Sequence, residues 1–144
     1  MKGFVFHLEP VLKHRSEKAT TAEQALAAAH SEYKRRVTVL EEAKQRMEDS
    51  FETAEEDTNV LGIAYLSYYR ASLKTKIDSM MNEATLARKT VDRKRDVAIK
   101  ARQERQVMEK LKDKHLSYYR HDVNMKEQKE SDELALYSFM RGEV

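Results

Sequence analysis

Glu55-Glu56-Asp57-Thr58-Asn59-Val60-Leu61-Gly62 is the stretch on which the reading of the fold depends. Gly62 is the only glycine between Gly3 and Gly142, and no proline follows Pro10. Glycine and proline are the strongest local breakers of a helix, so a chain this poor in both offers one place to reverse. On either side the apolar residues recur every seven positions, the spacing that gives a helix a continuous seam for a partner. The expectation is an all-α protein, an antiparallel two-helix coiled-coil hairpin forming a single domain over residues 1–144. Helix one is expected at about 8–56, the turn at about 57–62, and a longer C-terminal helix two at about 63–141.

Working outward from the turn, the first seam reads Leu12, Ala19, Leu26, Tyr33, Leu40, Met47, Ala54, with Ala22, Ala29 and Ala43 on a second line that drifts toward Val37 and Phe51. A drift is expected when 3.6-residue turns are laid against a heptad. Helix two carries Leu66, Leu73, Met80, Ala87, Lys94, Ala101 and Met108, interleaved with Ile77, Ala84, Val91 and Ala98. A turn centred near residue 60 makes paired indices sum to about 120. That sets Ala54 by Leu66, Met47 by Leu73, Leu40 by Met80 and Tyr33 by Ala87, large against small as close packing requires. Pro10, with its fixed φ and missing N–H, suits the first turn of helix one. Helix two then outruns helix one by about thirty residues, and residues 115–144 are too apolar for a solvated tail. Either the segment Phe4 to Leu8 covers part of that overhang, or another protein does.

A composition 36% charged and 40% hydrophobic belongs to long helices rather than to a layered globular domain. Such a hairpin buries only its seam and has no thick core in which a catalytic group could be desolvated. The net charge of +2 is small beside 27 basic and 25 acidic residues, but the charges are unevenly placed. Residues 41–57 are strongly acidic and residues 88–114 basic. The absence of cysteine excludes a disulfide framework and thiolate metal sites and fits a reducing compartment. Neither a signal-peptide core nor a membrane-length apolar run is expected, so the protein reads as cytoplasmic, without membrane insertion.

The histidines, at 7, 14, 30, 115 and 121, form no helical i, i+3 or i+4 pair with a carboxylate, so no metal site is expected. No glycine-rich phosphate loop or nucleophile elbow is present. Paired carboxylates such as Glu55 and Glu56 on exposed helix keep ordinary acidity, unfit for acid–base work. No catalytic residue and no cofactor are expected. The basic run Arg88 to Lys114 reads in two ways. It could follow a phosphate backbone as basic zipper helices do. Alternatively, Asp92, Asp96, Glu104, Glu109 and Asp113 make it a salt-bridged exposed face that binds no nucleic acid. Tyr65, Tyr68 and Tyr69, beside Leu66 and Leu73, put more apolar surface on one helix than one seam can bury. They serve a partner's groove or pack on Val60 and Leu61.

The chain resembles the FliJ family, small coiled-coil proteins of the bacterial flagellar type III export apparatus. The opening residues Phe4, Phe6, Leu8, Val11, Leu12, Arg15 and Glu17 carry the resemblance, as do Gly62, Tyr68 or Tyr69, Leu73 and Ile77 in the middle. At the end it rests on Glu104-Arg105, Glu109-Lys110-Leu111, Tyr119, Glu127-Gln128-Lys129 and Asp132-Glu133. The resemblance implies a stalk-like, non-enzymatic protein of flagellum biogenesis and motility. It docks into a hexameric export ATPase, contacts the membrane-embedded export gate and handles export chaperones. It works in the cytoplasm, peripherally associated with the membrane at the flagellar base. On that basis Tyr65, Tyr68, Tyr69 and Leu73 are the expected gate-binding residues. Phe4, Phe6, Leu116, Tyr119, Val123, Glu127, Asp132, Leu134 and Tyr137 are expected to bind the ATPase ring. The rival is a generic coiled-coil scaffold or a basic-helix nucleic-acid binder.

Overall fold

A computed structural model describes residues 3–53 and 59–142. It contains two helices, α1 (Glu9–Thr53) and α2 (Val60–Met140), paired as an antiparallel hairpin with the C-terminal helix the longer. Residues 54–58, which hold the expected end of helix one and the first two residues of the expected turn, lie outside the described residues, and with them the pairing of Ala54 with Leu66. At its other edge the expectation is corrected. Helix α2 begins at Val60, not Ile63, and holds Gly62 inside its first turn. The reason is Asn59. Its side-chain oxygen accepts from the Leu61 N–H at 3.4 Å and its carbonyl from the Ile63 N–H at 2.9 Å. Asparagine is a strong N-cap, and a capped helix tolerates a glycine one turn in. The glycine that does leave helical geometry is Gly142, whose φ of +70° closes α2 in the left-handed region.

The helices pair within two compact units, residues 1–19 with 101–144, and residues 20–100. In the second, the Arg70 guanidinium donates to the Ser50 carbonyl at 2.6 Å, and Arg36 pairs with Glu83. In the first, Arg15 pairs with Glu104 at 2.5 Å and Lys112 with Glu9 at 2.8 Å. The residue numbers of these four pairs add to 120, 119, 119 and 121, the register expected from the turn. The seam is built mainly from small side chains, with Ala19, Ala22, Ala43, Ala84, Ala98 and Ala101 buried and Leu40, Leu73 and Val91 among them. Small residues let two backbones approach closely, so the interface gains contact density without large apolar knobs.

Candidate functional site: two exposed faces of the hairpin

In the unit of residues 20–100, the start of α2 presents Tyr65 and Tyr68, 70% and 79% exposed, with Tyr69 at its edge, 37% exposed. The rings of Tyr65 and Tyr69, one helical turn apart, stack at 6.5 Å and 9°. They do not fold onto the residues at the start of the helix, since Val60 and Leu61 are themselves exposed. Leu73 departs from the expectation for this face. At 6% exposure it is a seam residue facing α1, and a partner could reach it only by parting the helices. Its place in the heptad series Leu66, Leu73, Met80 is the physical reason, because that line points at the partner helix. The accessible face is therefore Tyr65, Tyr68 and the edge of Tyr69.

In the other unit, the residues expected to bind a ring divide into two groups. Phe4 and Phe6 belong to a non-helical segment lying on α2, with Phe4 5.6 Å from Tyr119 and Phe6 5.6 Å from His115 in an edge-to-face contact. Phe6 is buried, and Leu116, Tyr119 and Val123 are half-buried beside this segment. So the Phe4 to Leu8 segment does cover part of the expected overhang, at His115 and Tyr119. These five residues spend apolar surface within the chain. From Asn124 onward every described residue of α2 is exposed, including Glu127, Asp132, Leu134 and Tyr137. Leu136, Phe139 and Met140 are exposed with them, within the overhang that reads as too apolar for a solvated tail. Glu133, Leu136, Tyr137 and Met140 line an open groove there.

Some of the charged side chains are tied in ion pairs. Glu104 receives Arg15 and lies 3.5 Å from Lys18, Arg95 lies 3.7 Å from Asp92, and Arg105 lies 3.5 Å from Glu109. The hydrogen bond from Arg15 is the main cause holding the Glu104 carboxyl below its ordinary range, with Lys18 adding to it and desolvation opposing. Likewise the bond from Arg35 lowers Glu32 and raises Arg35 in return. Within the basic run, Arg95, Arg105 and Lys112 take part in such ties. Among the described residues no group of three or more histidines and carboxylates could hold a metal ion. No helix among them is long and apolar enough to cross a membrane.

Fold and surface define a two-helix coiled-coil hairpin with exposed aromatic side chains. The model of the flagellar FliJ protein family matches residues 4–143. The chain belongs to the FliJ family and is a component of the flagellar protein export apparatus, from a family of non-catalytic proteins. No curated protein and no solved structure matches it.

Proposed function

We propose that this chain links the flagellar export ATPase to the export gate. The exposed end of α2, residues 124–140, enters the hexameric ATPase ring, and the Tyr65, Tyr68 and Tyr69 face engages the gate. The protein acts in the cytoplasm, held at the flagellar base through the gate rather than by inserting into the membrane. The observation that carries this reading is the bare end of α2. Helix α1 and the Phe4–Leu8 segment leave Leu134, Leu136, Tyr137, Phe139 and Met140 in water, and each such side chain gains roughly 1.5–3 kcal/mol when fully buried. Glu127, Glu130, Asp132 and Glu133 on the same stretch suit basic loops lining a pore, though exposed ion pairs contribute little individually.

Deleting residues 124–144 from the full chain and measuring binding to purified ATPase ring and purified gate protein tests the assignment. Ring binding should be lost while gate binding persists. Ring binding that survives the deletion would reverse it.

A further inference from the structure

The chain contains one pentapeptide twice, Leu66-Ser67-Tyr68-Tyr69-Arg70 and Leu116-Ser117-Tyr118-Tyr119-Arg120. The likeness continues on both sides. A ring precedes each copy, Tyr65 and His115, and an aliphatic residue follows, Leu73 and Val123. On a helix this pattern sets the leucine and the later aliphatic toward the seam. The preceding ring and the second tyrosine fall at i and i+4 along one flank, and the first tyrosine points outward. Burial agrees, because Leu66 and Leu116 are both half-buried while Tyr68 and Tyr118 are both well exposed.

The two copies differ in what lies on the flank. Over the second copy runs the non-helical segment Phe4-Val5-Phe6, with Phe4 on Tyr119, Phe6 on His115 and Val5 between them turned outward to solvent. The fit has a geometric cause. Alternate residues of an extended chain point the same way and lie about 6.7 Å apart, while i and i+4 on a helix rise about 6 Å. Two aromatic residues separated by one other therefore land on two rings separated by one turn. At the first copy the corresponding rings, Tyr65 and Tyr69, stack on each other and remain accessible.

We infer that Tyr65 and Tyr69 form a docking site for an extended segment of another protein that carries two aromatic side chains with one residue between them. The chain's own Phe4-Val5-Phe6 segment on Tyr119 and His115 is the template for the contact. A second copy of the chain is not the occupant, because its own segment is engaged within the molecule, with Phe6 buried. The inference deepens the gate reading, rests on the same exposed tyrosines and gives their ligand a chemistry.

The probe is a fluorescent peptide of residues 3–8, Gly-Phe-Val-Phe-His-Leu, titrated into the full chain. Wild type should bind it, Tyr65→Ala with Tyr69→Ala should bind at least about tenfold more weakly, and Tyr119→Ala should bind as wild type. A peptide with alanine at both phenylalanines should not bind. A photo-crosslinker at the valine position, mapped on wild-type protein, should mark residues 65–70, which keeps the test valid if the double variant loses helicity. Absence of binding, or crosslinks only at residues 115–120, would overturn the inference. So would self-association of the wild type that disappears with Phe4→Ala and Phe6→Ala, since the occupant would then be a second copy. No gate protein enters this assay. Peptide binding without gate binding would sink the gate reading alone, and gate binding without peptide binding this inference alone.

Discussion

Arg70 shows how much one side chain can do at the end of a helix. Helix α1 has no basic residue in the last turn described for it, where Ser50 lies. Arg70 reaches across from α2, donates to the Ser50 carbonyl and to the Ser50 hydroxyl at 3.2 Å, and lies 4.1 Å over the Phe51 ring. It brings the positive charge that the negative end of the helix dipole favours. Arg70→Ala should lower stability by about 1–2 kcal/mol in urea unfolding, with Arg70→Lys between it and wild type. Glu104 makes a prediction in pH. Its carboxyl is harder to protonate folded than unfolded, so the folded chain binds fewer protons around the ordinary glutamate range. Its contribution is therefore present above that range and lost as pH falls through the lowered folded value. Glu104→Gln should flatten the acid limb of the stability curve, and NMR titration of the wild type should give Glu104 a midpoint below that of a free glutamate. Neither role was legible in the sequence. Ser50 falls seven residues after Ala43, where the second line reads as drifting to Phe51, and an arginine partner twenty residues away has no local signature.

At the scale of the elements, the sequence carries most of the answer. The heptad spacing predicts both helices, their register and many of the buried residues, because a seam repeats its own geometry and every repeat restates it. Ala19, Leu40, Leu73 and Ala101 lie on the lines read from the spacing, and Ala22, Ala43, Ala84, Val91 and Ala98 on the interleaved ones. What spacing conveys poorly is where a helix starts. Gly62 reads as a breaker in isolation, but Asn59 caps the helix before the glycine is reached. The pentapeptide repeat was present in the sequence throughout, yet its period of fifty does not fall on the heptad and a search by sevens passes over it. A seam of alanines also predicts intolerance of larger residues. Ala98→Leu places extra carbon at a buried seam position, and overpacking of this kind costs typically 1–3 kcal/mol. Thermal unfolding should show the loss. A variant as stable as wild type would mean that the helices can separate at this position without penalty.

For the molecule as a whole, the question is whether its two faces act as one device. The exposed end of α2 belongs to the unit of residues 1–19 and 101–144, and the tyrosine face to the unit of residues 20–100. The continuous helices α1 and α2 run through both units, so the same chain carries both faces. If the protein only supplied each partner with a ligand, the faces could be placed on separate molecules without loss. If it couples them, both must be intact in one chain. The test is complementation in cells lacking the protein, with full chain deleted for residues 124–144 expressed together with full chain carrying Tyr65→Ala and Tyr68→Ala. Each variant alone should fail to support swimming, because each lacks one contact. Together they should still fail, although ring binding and gate binding are both present in the cell, because no single molecule spans the two partners. Restored motility would show that the contacts work independently, and the protein would then be two binding sites on a common scaffold rather than a coupling.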